Sequence, residues 1–135
     1  MNIYTSYFAN LKKLPKDIIP ISICGKAPNW YKGIQYKILA PKWEFFKLWK
    51  YKTYGFEQYY QNNDYYIKKF YELVLNKLDY KTVINRLSQL SDGKDVALIC
   101  YEKPSDFCHR HLVAEWLISN GAECKEWIID KKEKI

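Results

Sequence analysis

Val96-Ala97-Leu98-Ile99-Cys100 is an unbroken apolar run. It is too short for a helix and reads as a strand buried on both faces, the pattern of a parallel sheet. Ile3-Tyr4-Thr5-Ser6-Tyr7 and Ile18-Ile19-Pro20-Ile21-Ser22-Ile23 are β-branched and aromatic and read as two more strands. Pro20 has no N–H for a ladder bond, which places it near a strand start or on an edge. Glu126-Trp127-Ile128-Ile129 predicts a last strand. Elsewhere the period changes. Phe56, Tyr59, Tyr60, Tyr66, Ile67, Phe70, Val74 and Leu78 recur at helical spacing, with Asn62-Asn63-Asp64 placed to interrupt them. Pro41 suits the first position of a helix carrying Trp43, Phe45, Phe46 and Trp49. Asp79 suits the N-cap of a helix ending near Leu90. Cys108 to Asn120 predicts a helix with Leu112, Val113, Trp116 and Leu117 inward, capped by Ser105 or Asp106 and stopped by Gly121. Asn29 to Ala40 reads as an aromatic loop at Trp30-Tyr31-Lys32-Gly33, then a short extended piece over Tyr36 to Leu39. The order strand, strand, helices, strand, helix, strand predicts one α/β domain over residues 1–135, a mainly parallel sheet flanked by helices with right-handed crossovers.

Composition changes this picture little. The 135 residues suit one domain with a real core, and 48% hydrophobic with 27% charged is a globular balance. The formal charge of +7 favours anionic partners: nucleotide, nucleic acid or anionic lipid. The lysines are scattered, however, and the densest group is the tail Lys131-Lys132-Glu133-Lys134. The N-terminal residues lack the apolar core of a signal peptide, and no run reaches the ~18 apolar residues of a membrane span. The expectation is a cytoplasmic protein with no membrane partner, whose cysteines (Cys24, Cys100, Cys108 and Cys124) are thiols. No CxxC pair occurs, so neither a metal site nor a cofactor is signalled.

Candidate chemistry follows from strand direction. Ligands of open parallel sheets bind beyond the carboxyl ends of the strands. The first strand ends at Ser6-Tyr7, the second at Cys24-Gly25-Lys26, and the apolar run at Cys100, followed by Tyr101-Glu102-Lys103. These share one rim if the strands are parallel. Cys108, His109 and Arg110 fall in the first turn of the next helix, whose free N–H groups attract anions. A positive Arg110 there opposes the helix dipole. Either an anionic ligand or an ion pair with Glu102, Asp106 or Glu115 resolves that conflict. Cys108 sits where a helix start lowers a thiol pKa, and Cys100 ends a strand on the rim, so both are candidate nucleophiles. The plainer reading of each is a small buried hydrophobe, which is what most cysteines are. Their spacing to Arg110 matches neither the compact loop of cysteine phosphatases nor that of rhodaneses. Cys100, Cys108 and His109, with Cys24, form a weaker metal-binding alternative; His109 and His111 point apart on a helix. Trp30 and Tyr31 follow a Gly/Pro loop on the rim and are candidates for base stacking, whereas Trp43 and Trp49 suit the core.

ALICYEKPSDFCHRHLVAEWL, residues 97–117, resembles the hallmark of the domain of unknown function 488 family. That hallmark is a buried strand ending in Cys, an acidic-lysine pair, then Cys-His-Arg at a helix start. Here these are Cys100, Glu102-Lys103 and Cys108-His109-Arg110. Ile3-Tyr4-Thr5 resembles the family's opening strand. Residues 23–46 look like a compact subgroup found in bacteria and their phages. Where the family has an Asp-Val-Arg-like segment, this chain has Ser22-Ile23-Cys24-Gly25-Lys26, and Lys26 stands in for the missing Arg. The resemblance implies a Rossmann-like fold and a pocket around Cys-His-Arg; it brings no particular activity with it.

Three functions are therefore in play. The first is binding, with possible sequestration, of a nucleotide or other phosphorylated small molecule through Ser6, Cys24, Gly25, Lys26, Trp30, Tyr31, Glu102, Lys103, His109 and Arg110. The second is a cysteine-dependent enzyme acting on a nucleotide, nucleobase or sulfur carrier. The third is a nucleic-acid-binding module.

Overall fold

The computed structural model describes residues 1–51 and 55–128. Ile129 and the lysine-rich tail, and most of the loop expected at Lys52 to Gly55, lie outside them. Five strands form one sheet: β1 (Ile3–Tyr7), β2 (Ile18–Ser22), β3 (Ile34–Gln35), β4 (Asp95–Cys100) and β5 (Cys124–Glu126). Their order is β3-β2-β4-β1-β5, and every pairing is parallel. The apolar run in β4 is the central strand, buried from Val96 to Cys100 because both faces are covered. Asp95 starts it in register by accepting from the Asn2 backbone N–H at 2.7 Å.

The helices are α1 (Trp43–Lys50), α2 (Glu57–Tyr60), α3 (Asn63–Leu73), α4 (Tyr80–Leu90) and α5 (His109–Ser119). The long periodic stretch is split where Asn62 turns its side chain onto the Asp64 N–H at 2.7 Å and caps α3. Asp79 caps α4 through the Thr82 N–H. Gly121 takes a φ of 105° and lets Ala122 bond back to the Leu117 carbonyl, ending α5 as expected.

Three local expectations are corrected. The extended piece is Ile34–Gln35, and Lys37–Leu39 is a 3-10 turn, because β2 ends at Ser22, whose carbonyl takes the Tyr36 N–H as the last bond to this segment. The last strand is Cys124–Glu126, beginning two residues early where Ile3 supplies its first partner, and Trp127 and Ile128 lie beyond its end. Cys108 is itself the N-cap of α5, with extended backbone and no side-chain cap, so neither Ser105 nor Asp106 caps that helix. Pro20 lies inside the sheet rather than on its outer edge, but β3 is too short to reach it. Its carbonyl accepts from the Tyr31 hydroxyl instead.

From β1 the chain crosses to β2 and β3 on one side. From β4 it crosses to β5 on the other. Right-handed crossovers then put the two sets of connections on opposite faces. Phe45, Tyr66, Phe70, Val83, Leu87, Leu112, Val113 and Leu117 from the helices pack with Ile3, Ile21, Val96 and Leu98 on one face. Phe8, Leu11 and Leu14, around the 3-10 segment Phe8–Lys13, pack with Tyr31, Ala97 and Ile99 on the other. β1 and β4 are neighbours whose connections leave in opposite directions. Their carboxyl ends are thus the topological switch point, where such sheets take ligands.

Candidate functional site

Parallel pairing aligns Tyr7 with Cys100 and Thr5 with Glu126, so the ends of β1, β4 and β5 meet at this switch point. The loop after β4 returns the chain so that α5 starts over the same place. The Sγ atoms of Cys100 and Cys108 are brought together there, and both residues are buried; their Cα atoms stand 7.5 Å apart, wider than a disulfide spans without backbone movement. His109 donates from Nε2 to the Ile23 carbonyl at 2.7 Å, just beyond β2. That bond fixes the tautomer and leaves the Nδ1 lone pair toward Cys108 Sγ, 4.0 Å away. Burial pushes the imidazole down to about 4, so the ring is neutral at pH 7.

Arg110 is wholly buried. Its Nε and Nη2 each donate to one Glu126 carboxylate oxygen at 3.1 Å, a two-pronged ion pair. Nη1 donates to the Glu102 carbonyl and reaches Cys100 Sγ at 3.4 Å, and the Tyr7 ring lies 5.7 Å from the guanidinium carbon. Arg110 was expected to meet either an anionic ligand or Glu102, Asp106 or Glu115. The structure supplies Glu126 instead, which is held in turn by the Thr5 hydroxyl at 2.7 Å. Sequence reasoning passed over Glu126; its signal was its place at the end of a strand parallel to the others. Glu102 keeps its carboxylate 3.6 Å from Cys100 Sγ.

The remaining expected residues divide. Ser6 is buried at the end of β1, and its hydroxyl has no partner among the described residues. Gly25, Lys26, Glu102 and Lys103 are exposed on the rim. Trp30 is 61% exposed and Tyr101 49%, and both rings lean on Phe8. Tyr101 donates to the Lys26 carbonyl, which ties the β2 and β4 loops together. Two candidates lie inside the fold. Tyr31 is buried and its hydroxyl serves the Pro20 and Ile34 carbonyls; a Cβ on Gly33 would stand 2.6 Å from that hydroxyl, so only glycine leaves room for it. Cys24 is buried, and desolvation pushes its thiol up to about 12, which removes it from nucleophilic work. His111 is not grouped with the two sulfurs and His109; its Nε2 is unpartnered among the described residues and its pKa is lowered, first by burial and then by Arg110.

A parallel α/β domain with a buried Cys–Cys–His centre at its switch point, and an arginine pinned beneath it, defines the class. The family model described as DUF488-N3a, active DUF488-N3 subclade, matches residues 6–121, and the chain belongs to that family. No curated protein matches it, and no solved structure does.

Proposed function

We propose that the protein binds a nucleotide or another phosphorylated small molecule on this rim and acts on it through the Cys100–Cys108–His109 centre. One observation carries the reading: the sulfur pair and the imidazole meet at the point where open parallel sheets take their ligands. The surroundings supply what such a molecule needs. Trp30 and Tyr101 offer exposed aromatic faces to a base. Lys26 and Lys103 offer exposed cations to phosphate. The start of α5 has neither a side-chain cap nor an acid in its first turn, so the positive end of its dipole is not offset there by a side chain of the helix. Arg110 takes no part in phosphate binding in this reading, since Glu126 occupies its fork; it positions Cys100. The description of the subclade as active supports a working centre.

The test incubates reduced protein with a mixture of ribonucleoside mono-, di- and triphosphates, then measures bound and free pools by mass spectrometry. One nucleotide retained and converted, with conversion lost in Cys108→Ser and retention lost in Trp30→Ala, is the expected result. Retention without conversion would reduce the protein to a sequestering role. Neither retention nor conversion would overturn the proposal.

A further inference from the structure

Cys100, Cys108 and His109 each aim one ligand atom at a common volume, and these atoms all lie within 4.8 Å of one another. All three residues are buried. We infer that the reduced protein holds a borderline-soft divalent cation of the zinc type here, on two thiolates and the His109 Nδ1. Three features of the surroundings fit. First, the Cα atoms of the two cysteines stand 7.5 Å apart, wider than the ~4.4–6.8 Å usual for disulfides. Two thiolates on one tetrahedral cation, each about 2.3 Å from it, need their sulfurs roughly 3.8 Å apart, and the wider backbone spacing accommodates that. Second, a ligating histidine normally donates its other nitrogen to a carbonyl or carboxylate. His109 already does so, from Nε2 to Ile23. Third, Arg110 Nη1 lies 3.4 Å from Cys100 Sγ and is neutralised by Glu126, so it stabilises a ligated thiolate without leaving a net positive charge beside the cation.

The ligand set decides the ion class. Two sulfurs and one imidazole suit zinc over magnesium or calcium, which take oxygen ligands. Three protein ligands leave a fourth position, the arrangement of catalytic rather than structural zinc. Glu102 keeps its carboxylate 3.6 Å from Cys100 Sγ. A disulfide and the cation exclude each other. A sulfur bonded to a second sulfur carries no thiolate charge for a metal, so the cation needs the dithiolate form. The ligand spacing, Cys100 then Cys108-His109, matches no common zinc motif, and only the fold assembles it.

The metal site is independent of which substrate occupies the rim, and its test uses the metal alone. Reduced, metal-stripped protein is titrated with Co²⁺ under argon while thiolate-to-cobalt charge transfer is followed, and Zn²⁺ is then added in competition. The expected result is one equivalent of Co²⁺ with tetrahedral bands, displaced by Zn²⁺. Cys108→Ser and His109→Gln are expected to weaken binding on the order of 100-fold, taking loss of a ligand to cost at least as much as loss of an outer-shell partner. Cys24→Ser and Cys124→Ser, which alter the two remaining cysteines, should leave it unchanged. Where a ligand variant fails to fold, metal protection of Cys100 and Cys108 against iodoacetamide in the wild-type chain reports the same contact. Folded, reduced protein that binds no Co²⁺, or that binds it with both cysteines still freely alkylated, would overturn the inference.

Discussion

His109 donates from Nε2 to a backbone carbonyl and is buried among Ile23, Phe70 and the sulfur pair. Its pKa falls from an ordinary 6.5 to about 4, chiefly because burial disfavours the charged ring. Between those values the unfolded chain binds more protons than the folded one, so stability rises with pH across that window. The contribution is complete above about pH 6.5 and is lost as pH falls toward 4, on the order of 3 kcal/mol in all. Urea unfolding with a chelator present should show wild-type protein losing most of this between roughly pH 7 and pH 4.5. His109→Gln, which cannot titrate, should lack this component. Equal pH dependence in both proteins would refute the burial argument. At this scale the sequence was legible in part. Cys-His-Arg marked the site, but the burial that makes His109 neutral and gives Arg110 an internal partner comes from residues far away in the chain.

Among the elements, α5 and β5 are tied by one ion pair. Arg110 enters from the first turn of α5, and Glu126 closes β5. The positive charge that opposed the helix dipole is thereby offset inside the protein, without a ligand. Arg110 has no exposed surface and Glu126 is 16% exposed, so removing the arginine leaves a mostly desolvated carboxylate without its partner. Arg110→Met should therefore destabilise the domain by about 3–5 kcal/mol in denaturant titration. Arg110→Met with Glu126→Gln should recover a substantial part of that loss. No recovery would mean that the pair matters through packing rather than charge. The helix ends, by contrast, were readable locally. Asn62 and Asp79 cap through bonds to residues two or three positions on, and such short-range chemistry needs no knowledge of the fold.

For the whole molecule, the topology discriminates between the two ends of the sheet. A shallow depression lined by Asn2, Tyr4, Ile118, Glu123 and Lys125 lies at the amino ends of β1 and β5, far from the sulfur pair. Ligands of open parallel sheets bind beyond the carboxyl ends of the strands, so the site we propose is the opposite rim. Trp30→Ala should weaken nucleotide retention by roughly tenfold or more, the size of one lost stacking contact. Lys125→Ala, at the other end, should not change it; the reverse pattern in an equilibrium binding assay would move the site. The alternation and periodicity of the chain determined by themselves that β1, β2 and β4 exist, that β4 is buried on both faces, that Asp79 starts α4 and that Gly121 stops α5. Those features depend on neighbours within a turn or on burial of a whole run. The sequence also placed Cys100, Cys108 and His109 on one rim. Only the tertiary structure decided which atoms meet there. The Ile23 carbonyl that orients His109, the Glu126 carboxylate that occupies Arg110 and the seat of Tyr31 under Gly33 are set by parallel register between strands distant in sequence, and local pattern holds no record of register.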